Sequence, residues 1–153
     1  MQFLKKFVLV FDLDDTLYPE IEYKKSGFNS LKNLIDFIYK KKIDLRFEQI
    51  ADKNFDFIEL FCDKLNITHK SKESLIWHYR LHKPEIFLDK GISNLLNLLD
   101  NYEVQIAIIT DGRSVTQRQK IKALGIEKIP FFISEEYNSE KPHKKRFNLI
   151  MQN

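Results

Sequence analysis

Three aspartates stand together in "FVLVFDLDDTLYPE", residues 7–20: Asp12, Asp14 and Asp15 follow directly on an apolar run. Carboxylates this close repel one another unless a cation sits between them or one of them keeps a proton. A Mg²⁺ ion, which takes carboxylate and carbonyl oxygens, would relieve the repulsion. One aspartate could then attack phosphorus while the other handles the leaving-group proton. Two further stretches offer complementary chemistry. "ITDGR" supplies the Thr110 hydroxyl and the amides of Asp111 and Gly112, donors that suit a phosphoryl oxygen. "SEKPH" supplies Lys141, a fixed positive charge for a transferring phosphoryl group. The plainer alternatives are turn-forming acids at 12 and 14, an ordinary turn at 110–112 and a surface lysine at 141.

Each group follows an apolar run, and those runs must position it. "FVLVF" at 7–11 and "VQIAIIT" at 104–110 read as strands buried on both faces, with a weaker one in "IPFFIS" at 129–134. Open α/β sheets place their ligands at the carboxyl ends of such strands. Helical spacing fills the intervals. "SGFNSLKNLIDFIYKKK" puts Phe28, Leu31, Leu34, Ile35 and Ile38 on one face, and "NFDFIELFCDKLN", "KESLIWHYRLH" and "GISNLLNLLDNY" read as further amphipathic helices. "SVTQRQKIKALGI" begins at Ser114, a suitable N-cap, and stops at Gly125, a suitable C′ residue. The expected class is an α/β fold with a parallel sheet. Residues 1–17 and 90–153 make its core, and 18–89 form a helical insertion.

"DLDDT" after a strand, then "TDG", then "KP", each in order after its own strand, resembles the haloacid dehalogenase (HAD) superfamily. The resemblance implies a HAD-like Rossmannoid core of about three strands with a C1-type helical cap inserted after the first. It makes Asp12 the nucleophile and a Mg²⁺ ligand. Asp14 becomes the general acid and base, with its backbone carbonyl on the metal. Thr110, Asp111 and Gly112 hold the phosphoryl group, and Lys141 steadies its charge and orients Asp12. The family pattern also carries a fourth, acidic motif, and the chain reaches "HKKRFNLIMQN" without it. A C-terminal truncation is therefore expected, with weaker Mg²⁺ binding. The same truncation would leave the first strand as an apolar edge through which the chain could self-associate.

Other residues read more plainly. Asp15 is expected to bond locally within the turn, and Thr16 to satisfy loop backbone. Tyr18, Pro19 and Glu20 shape the entry to the insertion. Lys144, Lys145 and Arg146 fall on a helix and are expected to face solvent. His78 and His82 are four apart but lack a third ligand at suitable spacing, so a helix of mixed polarity is the better reading. Cys62 sits among Phe57, Leu60, Phe61 and Leu65 as a small core residue. It is the single cysteine, so no intrachain disulfide can form. A net charge of +3 is too mild to argue for nucleic acid, and no run approaches a membrane span. These features point to a cytoplasmic protein acting on a small phosphorylated metabolite, with no nucleic acid and no membrane as partner. The expected activity is Mg²⁺-dependent hydrolysis of a phosphate monoester through an aspartyl-phosphate. A catalytically impaired fragment or binding module, and a phosphotransferase or mutase on the same scaffold, are the alternatives.

Overall fold

The computed structural model describes residues 7–49 and 56–152. Asn54 and Phe55, at the start of one expected helix, lie outside the described residues, as do residues 1–6 and Asn153. The chain divides into two compact units, Met1–Glu20 with Ile86–Asn153, and Ile21–Glu85.

The first unit is built on a parallel three-stranded sheet in the order β1 (Val8–Phe11), β2 (Gln105–Thr110), β3 (Phe131–Ile133). Phe11 is level with Ile108, and Thr110 with Ile133, so the three carboxyl ends lie side by side. Side chains alternate across a strand. Ala107 and Ile109 pack with Val8, Phe132 and Ile150 on one face of the sheet. Ile106, Ile108 and Thr110 belong to the other face. Among the described residues this unit also holds α4 (Lys90–Asn101), α5 (Ser114–Ala123), the single turn α6 (Ser134–Tyr137) and α7 (Lys145–Gln152). The sequence reading of an α/β parallel sheet holds.

Two local expectations need correction. β1 is not buried on both faces: Leu9 is 41% and Val10 37% exposed, because β1 pairs only with β2 among the described residues. Ser114 is the first residue of α5 and not its cap. The Ser114 amide is met instead by the Glu135 carboxylate, 2.7 Å away, a partner no local pattern reveals. Gly125 does follow the helix with φ 71°, the left-handed conformation expected of a C′ glycine.

The second unit is helical: α1 (Glu20–Tyr39, beginning at the boundary), a 3₁₀ turn at Phe47–Gln49, α2 (Phe57–Leu65) and α3 (His69–Leu81). Phe28, Leu31 and Ile35 of α1 are buried with Phe61, Cys62 and Leu75, so the face read at 28–35 is real. Ile38 lies beyond it and is exposed. The helix also starts six residues earlier than the spacing suggested. Asp15, at φ 55°, accepts the Glu20 amide hydrogen at 2.8 Å and anchors that first turn. His78 and His82 do not converge on a metal. His78 bonds Ser30 at 2.9 Å and buried His82 bonds Ser26 at 3.1 Å.

Candidate active site

The loop after β1 carries the aspartates. Asp12 Oδ1 accepts the Leu13 amide hydrogen at 2.8 Å. The other oxygen, Oδ2, is 2.6 Å from Lys141 Nζ, so residues 129 positions apart in sequence form an ion pair. Both side chains stay partly exposed, at 41% and 31%. Leu13 and Leu17 are buried, which pins the loop between them.

Asp14 is held quite differently. Its Oδ1 accepts from Lys120 Nζ at 2.7 Å and from the Tyr18 hydroxyl at 2.5 Å. Its Oδ2 accepts from Gln117 Nε2 at 2.8 Å. Burial raises the pKa of this carboxyl. The Lys120 charge, with hydrogen bonds from Lys120, Tyr18 and Gln117, outweighs burial and brings it below the ordinary aspartate value. Asp14 is therefore a carboxylate with every oxygen satisfied.

At the β2 tip Thr110 is buried, and its Oγ1 accepts from Gln117 Nε2 at 2.6 Å. Gln117 thus joins the tips of β1 and β2, because the same amide nitrogen serves Asp14 and Thr110. Gly112 adopts φ 140°, which side chains rarely tolerate, and an added Cβ would stand 3.3 Å from the Gln117 side chain. Its amide donates to Ser134 Oγ at 2.9 Å, tying the β2 tip to the β3 tip. Asp111 ties the third loop: its Oδ2 accepts the Lys141 amide hydrogen at 3.0 Å.

The other Asp111 oxygen pairs with Arg146. Here the expectation of a solvent-facing Arg146 fails. The residue is fully buried, and its guanidinium also donates to the carbonyls of Thr110, at 2.8 Å, and Phe132, at 3.1 Å. Strand-end carbonyls and a carboxylate at β2 attract a rigid fork of donors, and the first turn of α7 delivers one. Its Nε has no partner among the described residues.

The structure thus brings Asp12 to Lys141 directly, Asp14 to Thr110 through Gln117, and Asp111 to Lys141. It places the Gly112 amide on Ser134. Sequence reading missed Gln117, Lys120, Ser134 and Arg146. One signal was available for the first two. The stretch "SVTQRQKIKA" has few apolar residues, so a buried face of that helix must include polar ones, and Gln117 and Lys120 share a face at i, i+3.

The donor set near Asp12 is all oxygen, as a hard divalent cation requires, and Mg²⁺ commonly takes only one or two carboxylates plus water and substrate oxygens. Asp12 supplies one such carboxylate, while the Asp14 carboxylate is engaged with Lys120, Tyr18 and Gln117. Among the described residues no group of three or more His, Cys, Asp and Glu side chains is placed to hold a metal ion.

A family model described as haloacid dehalogenase-like hydrolase matches residues 9–153. The chain belongs to this family. Its parallel sheet with flanking helices is the HAD Rossmannoid fold. A glyceraldehyde 3-phosphate phosphatase from Methanocaldococcus jannaschii is 27% identical over 91% of this chain and 67% of its own length. A hydrolase from Streptococcus pneumoniae superposes with a TM-score of 0.60 at 17% identity, over 97% of this chain and 78% of its own. A Bacillus subtilis structure described as a HAD hydrolase bound to magnesium gives a TM-score of 0.60 at 21% identity, over 95% and 73%. Among the described residues, no helix of this HAD-like chain is long and apolar enough to cross a membrane.

Proposed function

We propose that this HAD-like hydrolase cleaves a small phosphate monoester through an aspartyl-phosphate on Asp12. The 2.6 Å contact between Asp12 and Lys141 carries the proposal. It brings a carboxylate and an ammonium from opposite ends of the chain to one point, on a fold whose family performs hydrolysis, which supports roles as nucleophile and phosphoryl-stabilising cation. Asp12 Oδ2 attacks phosphorus as the ester oxygen departs, and Asp14, a carboxylate in the free site, takes up a proton from solvent when substrate binds and passes it to that oxygen to form the alcohol. Water then attacks phosphorus, Asp14 takes its proton, and phosphate leaves as the Asp12 carboxylate is restored. Lys141 aims Asp12 and balances the oxygens in flight. The Thr110 hydroxyl keeps its hydrogen available to a phosphoryl oxygen while accepting from Gln117. Asp12 and the Asp14 carbonyl would hold Mg²⁺, whose chemistry there is to neutralise charge on the phosphoryl oxygens.

The helical unit, Ile21–Glu85, would act as the cap that selects the substrate. The name of the Methanocaldococcus relative supports a short phosphorylated carbonyl compound as that substrate.

Phosphate release from p-nitrophenyl phosphate and from glyceraldehyde 3-phosphate, with Mg²⁺ and with chelator, tests the proposal. Turnover that needs Mg²⁺ and vanishes in Asp12→Asn is the expected result. Turnover unchanged in Asp12→Asn would defeat it. Phosphate binding without turnover would favour a binding module instead.

A further inference from the structure

Lys120 keeps only 4% of its side chain exposed and is directed at a carboxylate of the site. A buried ammonium is costly, and a buried ion pair rarely stabilises a fold better than well-packed apolar residues of the same volume would. Stability alone therefore gives a weak reason for Lys120 to face Asp14 across 106 positions of sequence. Gln117 poses the same question. Its side-chain amide has two hydrogens and reaches three acceptors: Asp14 Oδ2 at 2.8 Å, Thr110 Oγ1 at 2.6 Å and the Asp111 carbonyl at 3.1 Å. Sharing of that kind couples the three groups, since none can move without weakening the others. Gly112 leaves the room this amide needs.

We propose that Gln117 and Lys120 are positioning residues for phosphoryl transfer. They hold the Asp14 carboxylate, one oxygen each, against the β2 tip, so that the leaving-group proton is handled from a fixed place. The inference rests on the phosphatase reading above. Lys120 and the Tyr18 hydroxyl fix Oδ1, and Gln117 fixes Oδ2. Rotation of the carboxylate then breaks contacts at both ends. A proton-transfer group loses much of its value when its geometry wanders by an ångström.

The role predicts a dependence on the leaving group. An alkyl ester needs its departing oxygen protonated. A p-nitrophenolate departs without that help. Lys120→Met should lower kcat/KM, which reports ester cleavage and not the water attack that both substrates share, by about 10- to 100-fold on glyceraldehyde 3-phosphate and by less than about threefold on p-nitrophenyl phosphate. Lys120→Arg, which keeps a cation, should recover part of the loss. Gln117→Leu should show the same split, and it serves in place of Lys120→Met if that variant does not fold. An equal fall on both esters, or no fall on either, would overturn the inference while leaving the phosphatase reading intact. A wild-type chain that hydrolyses neither ester would overturn both.

Discussion

The buried guanidinium of Arg146 pairs with Asp111, 35 residues before it. Asp111 in turn accepts the backbone amide of Lys141. One carboxylate therefore braces the loop that carries the lysine against the strand that carries the threonine. Removing it should cost more than its own hydrogen bonds, because Arg146 would be left buried without a counter-charge. Asp111→Ala is expected to lower unfolding stability by about 3–5 kcal/mol, and Asp111→Asn by clearly less. Urea unfolding of both variants measures this. A loss below about 1 kcal/mol in Asp111→Ala would remove the brace from the account.

Lys141 itself is partly exposed, so removing its side chain should cost the fold little. Lys141→Met should reduce turnover of p-nitrophenyl phosphate by about 100- to 1,000-fold, the scale seen when one charge-stabilising donor is taken from a transition state. The thermal midpoint should stay nearly constant. A large fall in that midpoint, in step with activity, would reassign the residue to a structural task.

Gly112→Ala tests the β2 tip. The substitution imposes φ 140° on an alanine and presses a methyl group on Gln117. Backbone strain of about 1–3 kcal/mol is expected, together with a fall in activity from the displaced Gln117 amide. Wild-type stability and turnover in this variant would contradict the tight approach between Gly112 and Gln117.

His82 offers a pH test in the helical unit. Burial lowers its pKa below the ordinary histidine value, and nearby His78 acts in the same direction. The hydrogen bond to the Tyr79 carbonyl, second in size to burial, and the charge of Glu85 pull the other way without overcoming it. The unfolded chain therefore binds a proton more readily than the folded one. Stability is fully present above about pH 6.5 and is lost as pH falls from there through the folded value. His82→Gln should flatten that decline. Urea midpoints at pH 7.5 and 5.5 compare the two proteins. Equal slopes would show that His82 does not carry the dependence.

The exposed β1 edge should associate. Phe7, Leu9 and Val10 present apolar surface beside a strand paired on one side only, among the described residues. Unpaired edges of this kind template pairing with another chain. Sedimentation should show mass rising with concentration, and Leu9→Lys should reduce it. A concentration-independent monomer would exclude association through this edge.

The meeting of Asp12, Thr110 and Lys141 on one side of the sheet was legible because the first two stand at the ends of apolar runs read as strands and Lys141 follows the third run. Parallel strands bring their carboxyl ends to one rim whatever the details of the helices between them. Gly125 was legible because a helix end needs a residue tolerant of positive φ, a local requirement. Arg146 was not. Three consecutive cations on a short helix read as a solvated face, and only the strand-end carbonyls and Asp111, distant in sequence, make a buried position tolerable for the third. The cap of α5 failed for the same reason, since Glu135 comes from the far side of β3.

The succession of strands and helices, and with it the parallel α/β sheet, was thus legible in the sequence alone, because apolar runs obey local rules. What holds the side chains of the site was decided by tertiary structure. The contacts of Gln117 and Lys120 with Asp14, and of Arg146 with Asp111, depend on which face of a helix meets which strand tip. Burial then makes an unpaired charge too costly to leave alone.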